Sequence, residues 1–86
     1  MKHNHVVSNR IMREFGRLCA SRRARLGLAV RDVARETGLS IAMVNRIELH
    51  TVQPSFAAAL VLGRFYRINL QHIAKRTELH ARLKEE

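Results

Sequence analysis

Two short apolar-faced segments separated by a stop and a start only three residues apart constrain this chain more than any other feature. Val33 and Ala34 give the first an inward face, and Val44 and Ile47 give the second the same. Gly38 stands where a helix end needs a residue that tolerates positive φ, and two positions later Ser40 offers an oxygen to the N–H groups of a new helix. The connection is therefore Gly38-Leu39-Ser40, with Leu39 as an apolar plug. A turn that short forces two helices to cross steeply and predicts a helix-turn-helix pair. The second helix, predicted over 41–48, is then held with one face outward, where it can enter a major groove of DNA.

The flanking sequence predicts three more helices. From Ser8, an N-cap candidate, Ile11, Phe15, Leu18, Cys19 and Leu26 recur at three- and four-residue steps and describe a first helix ending near Gly27. Pro54-Ser55 opens a fourth helix through Tyr66, and Asn69 caps a fifth over 70–84. No stretch alternates at period two for long enough to make a strand. The expectation is an all-α, compact five-helix domain over residues 8–84, preceded by a flexible leader, residues 1–7.

Charge narrows the class of partner. The 86 residues carry 16 Lys and Arg against 7 Asp and Glu, a formal net charge of +9. Such an excess destabilises a small compact domain unless an anionic partner offsets it. Arginine predominates, and its planar fork suits phosphate and guanine. Nucleic acid therefore leads over an anionic membrane surface, and no apolar run approaches the roughly 18 residues needed to span a bilayer. A single cysteine, Cys19, excludes an internal disulfide framework, and with no apolar leader stretch it points to the cytoplasm, at the nucleoid when DNA is bound. Its place in the apolar pattern of the first helix marks it as a packed side chain.

Other chemistries find little support. The five histidines are scattered, His3 and His5 at the start and His50, His72 and His80 on separate elements, so no metal ligand set converges. There is no glycine-rich phosphate loop or paired-carboxylate arrangement, and neither an enzyme nor a cofactor is expected.

The order Phe15-Gly16, Arg23, Gly27-Leu28, Val33-Ala34, Gly38-Leu39-Ser40, Ile47-Glu48, Pro54-Ser55 and Leu60 resembles the lambda-repressor-like regulators, the XRE or Cro/C-type family, over about residues 15–74. The resemblance implies a domain that binds operator DNA, usually as a two-fold dimer on a palindrome. It implies Ile41, Ala42, Asn45 and Arg46 as the base-facing residues, which are also the positions opposite Val44 and Ile47. Arg46 suits bidentate contact with guanine, Asn45 an adenine or a phosphate oxygen, and Ile41 and Ala42 only methyl packing or groove shape. The resemblance further implies an inward ion pair between Arg23 and Glu48.

For the DNA backbone the expected contacts are Arg22 and Arg25 from the basic cluster at the end of the first helix, Arg31 in the first turn of the second, Ser40, and Thr51 and Gln53 in the following loop. The chain departs from the family pattern at four places. Val30 replaces a common phosphate-binding glutamine, Ala29 a Ser or Thr cap, Arg67 a helix-ending glycine, and Arg22 a small or apolar residue.

In the fourth helix an inward face of Phe56, Ala59, Leu60, Leu62, Gly63 and Tyr66 leaves Ala57, Ala58, Val61 and Phe65 outward. That apolar stripe predicts a homodimer interface of Ala58, Val61, Phe65, Ile73 and Thr77; the alternative is that the fifth helix folds over it within one subunit. The expected function is a sequence-specific regulator, a homodimeric repressor. Phage and plasmid repressors and restriction–modification controllers are of similar size. A rival reading is an antitoxin or antiactivator whose main partner is a protein, and nonspecific nucleoid binding is a third.

Overall fold

The computed structural model describes the backbone of residues 2–85 and the side-chain surroundings of residues 9–78. It is all-helical, with five helices in chain order: α1 Lys2–Leu26, α2 Val30–Thr37, α3 Ile41–Glu48, α4 Phe56–Tyr66 and α5 Leu70–Glu85. No strand occurs among the described residues.

Helix boundaries follow local hydrogen-bond chemistry. Gly38, at φ 78°, ends α2 in the left-handed region, and its N–H donates to Ala34 O at 2.9 Å. The Ser40 hydroxyl then accepts from the Met43 N–H at 3.0 Å and starts α3. Ser55 does the same for α4 through Ala58 N–H, and Asn69 Oδ1 for α5 through His72 N–H. At the start of α2, Ala29 has no side-chain acceptor, but the Asp32 carboxylate reaches back to the Ala29 N–H at 2.8 Å. Half a capping box thus survives, with an anion at the positive end of the helix.

Two sequence expectations are corrected here. Helix α1 begins at Lys2, so the segment expected as a leader, 1–7, is helical backbone from its second residue; its side chains lie outside the described residues. No glycine or proline interrupts that stretch, and once the packed middle of α1 exists each added residue gains one hydrogen bond. The inward face of α4 is also rotated from the expected one. Ala58 is 4% exposed and packs in the core with Ala59, Leu62 and Tyr66, whereas Phe56 is 81% and Leu60 39% exposed.

The core is centred on Phe15, Cys19, Val33, Val44, Ile47 and Leu62, drawn from the first four helices. Leu39 packs against it as the expected plug between α2 and α3. Helix α5 lies chiefly along α1 and contributes Ile73 to the same core, so it leaves the outer face of α4 uncovered.

Candidate nucleic-acid interface

Helix α3 presents the face its periodicity requires. Val44 and Ile47 are buried, Met43 is half-buried, and Ile41, Ala42, Asn45 and Arg46 all point to solvent, Ile41 at 52% exposure. Among the described residues no carboxylate pairs with Arg46. Ser40 is exposed at the start of the same helix; its oxygen accepts the Met43 N–H, which leaves its own O–H to donate outward.

What holds this helix in place comes from behind. The Arg23 guanidinium forks onto both oxygens of Glu48, Nε at 2.8 Å and Nη2 at 2.9 Å, while its Nη1 donates to Leu28 O at 3.0 Å. One side chain therefore ties the end of α1, the α1–α2 turn and the end of α3, as the family resemblance implies. Bonding to the Glu48 carboxylate raises the Arg23 pKa further above the ordinary guanidinium range. Its main effect is on orientation, because desolvation offsets much of the attraction in a partly buried pair. Beside it, burial first and the Glu48 charge second push the Cys19 thiol up to about 12, which leaves it an inert, packed side chain. Burial likewise raises the Tyr66 phenol above its usual range, with Cys19 and Glu48 adding to the shift.

Gly16 completes the brace. A Cβ there would fall closer than 3.0 Å to the Ile47 carbonyl oxygen and 2.9 Å from Nδ1 of His50, so α1 and the end of α3 approach as only glycine permits. His50 itself sits at φ 61° and turns the chain out of α3.

The expected rim cations divide. Arg31 and Arg25 are exposed and, among the described residues, unpaired with carboxylates. Arg35 is held by Asp32 at 3.2 Å and Glu36 at 3.6 Å. Arg22 is corrected: its Nη1 donates to Tyr66 O at 3.0 Å in a part-buried bond, which commits the side chain to the last turn of α4. That carbonyl is one of the orphan acceptors every helix end leaves, and a nearby arginine is a favourable partner for it.

Thr51 is exposed, and its N–H and hydroxyl both donate to Arg46 O, at 3.0 and 3.3 Å. Gln53 Nε2 donates to Asn9 Oδ1 at 3.4 Å. The loop after α3 is thereby anchored to α3 on one side and to α1 on the other. Asn9 and Arg13, which line a cleft with this loop, carry no signal in the sequence beyond sharing a helix face at i and i+4.

The expected dimer residues are likewise separated. Ala58 and Ile73 are each 4% exposed, because both are spent on the subunit's own core. Phe65 is half-buried with its ring edge-on to Tyr66 at 5.0 Å, and Thr77 is half-buried. Val61, at 38%, remains outward, joined by Phe56, Ala57 and Leu60 in one exposed apolar stripe.

Among the described residues no helix is long and apolar enough to cross a membrane, and no group of three metal-ligating side chains forms; His3, His5 and His80 lie outside the described side chains. Comparison of the chain with family models, curated proteins and solved structures found no match.

Proposed function

We propose that this chain is a sequence-specific double-stranded DNA-binding regulator of lambda-repressor-like architecture, a homodimeric repressor that reads a palindromic operator with α3 in the major groove. The observation that carries the reading is the contrast between the two sides of α3. Its back is fixed by the Arg23–Glu48 fork and the Gly16 close approach, while Ile41, Ala42, Asn45 and Arg46 stand free on its front. A helix about 10–12 Å across fits a groove about 12 Å wide, and a rigidly mounted reader holds its side chains in register with base edges. The net charge of +9 supplies the sequence-independent attraction.

Within this reading Arg46 contacts guanine O6 and N7, Asn45 an adenine or a phosphate, and Ile41 and Ala42 pack against thymine methyls. Arg31, Arg25, Ser40 and Gln53 face the sugar–phosphate backbone; Arg22 does not join them, and Thr51, whose N–H and hydroxyl both donate to Arg46 O, holds the loop in place instead. The exposed Phe56, Leu60 and Val61 stripe supports a second copy as the partner, since a two-fold pair sets two reading helices about one DNA turn, roughly 34 Å, apart.

Selection of bound fragments from a random duplex pool, followed by binding of Arg46→Ala to the selected site and to random DNA, tests the proposal. The expected result is a symmetric consensus, with a loss of about 1–3 kcal/mol on that site and relaxed preference at one base pair. Equal weakening on both DNAs, or no consensus at all, refutes base reading by α3.

A further inference from the structure

The loop that leaves α3 and the first half of α1 enclose a cleft of about 210 Å³ whose walls include Asn9, Arg13, His50, Thr51 and Gln53. No carboxylate lines it, so it holds no negative charge to attract a cation. Its polar groups are biased toward donation. Arg13 brings a guanidinium that is exposed and, among the described residues, has no acidic partner. Asn9 uses its carbonyl oxygen to accept from Gln53, which leaves its amide N–H groups over, and the backbone N–H groups of Val52 and Gln53 meet no backbone carbonyl among the described residues.

Arg13 is the one of three neighbouring arginines placed for this. Arg17 is bound to Glu14 through two hydrogen bonds, and Arg10 has its Nη1 buried without a hydrogen-bond partner. The cleft is also rigid with respect to α3, since Thr51 bonds twice to Arg46 O on one flank and Gln53 bonds to Asn9 on the other.

We infer that this cleft binds a phosphodiester of the DNA backbone, with Arg13 as its charged ligand, so that α1 as well as the loop grips the strand beside the site that α3 reads. The inference rests on the DNA-binding reading above. The occupant follows from a lining that carries a guanidinium and no carboxylate, and from position, because the cleft opens at His50, two residues after α3 ends. A helix seated in the major groove brings the flanking phosphates alongside whatever follows its last turn.

The test is the salt dependence of duplex binding, measured by fluorescence anisotropy between 50 and 200 mM salt for the parent chain, Arg13→Ala, Arg13→Lys and Arg64→Ala. One lost phosphate contact lowers the logarithmic salt slope by about 0.9, so the affinity lost over that fourfold rise in salt shrinks about 3.5-fold. Arg13→Ala is expected to show that change on selected and random duplexes alike, with an unaltered thermal melt. Arg13→Lys is expected to restore the slope, and Arg64→Ala, which removes an equal charge from α4, to leave it unchanged. A parent that binds DNA while Arg13→Ala keeps the full slope, or Arg64→Ala lowers it equally, overturns the cleft assignment alone. A parent that binds no duplex overturns the proposed function and the cleft with it.

Discussion

Replacing Gly16 with alanine sets two effects of opposite sign against each other. Gly16 is in the interior of α1, where alanine ordinarily stabilises a helix by about 0.5–1 kcal/mol. Against this, the new methyl meets the Ile47 carbonyl oxygen, which must retreat by about 1 Å to reach ordinary contact. The obstacle is backbone, so it cannot swing aside as a side chain would. The end of α3 cannot drift freely either, because Glu48 is held by Arg23 at 2.8 and 2.9 Å. Overpacking costs about 1–3 kcal/mol, and an immovable backbone obstacle belongs in the upper part of that range, about 2–3 kcal/mol, so subtracting the propensity gain leaves a net loss of about 1–2 kcal/mol. For a chain of this size that corresponds to a fall in melting temperature of about 5–15 °C, to be measured by circular dichroism and cross-checked by the urea midpoint. A Gly16→Ala variant as stable as the parent, or more so, would refute the close approach of α1 and α3 on which the bracing argument depends.

Three further outcomes are expected. Arg67 ends α4 at φ 57° without being glycine, so Arg67→Gly should raise the urea midpoint by an amount equivalent to about 1 kcal/mol at unchanged slope; a lower midpoint contradicts this account. The Cys19 thiol, raised from 9.0 to about 12 by burial, should resist alkylation at pH 8 in the native protein and react in denaturant. Because its folded pKa lies above the unfolded one, its contribution to stability is complete below pH 9 and declines as the pH rises toward 12, and a melting temperature indifferent to that range would count against it. Val61→Glu places a charge in the exposed α4 stripe and should halve the sedimenting mass of a dimeric parent, whereas an unchanged mass would move the interface elsewhere.

Local chemistry explains why most helix limits were legible in advance. Gly38, Ser40, Ser55 and Asn69 each act on backbone groups within a few residues, so their effect needs no knowledge of the rest of the fold. The outward face of α3 was legible for a related reason: Val44 and Ile47 are its strongly apolar inward pair, and Asn45 and Arg46 contrast with them. In α4 that contrast is missing. Phe56-Ala57-Ala58-Ala59-Leu60-Val61-Leu62 is apolar on every side, and periodicity cannot choose among equivalent faces.

What the amino-acid order determined by itself was thus the number of helices, most of their caps, and which side of α3 stays in solvent. Tertiary packing alone decided that Ala58 and Ile73 are core, that Phe56 is exposed, that Arg22 serves the end of α4, and that Asn9 and Arg13 meet the loop after α3. The physical reason is range. Caps and amphipathic contrast are settled within a turn or two of helix, whereas the rotation of an evenly apolar helix and the destination of a long cationic side chain depend on partners more than forty residues away, as Arg22–Tyr66 and Asn9–Gln53 are.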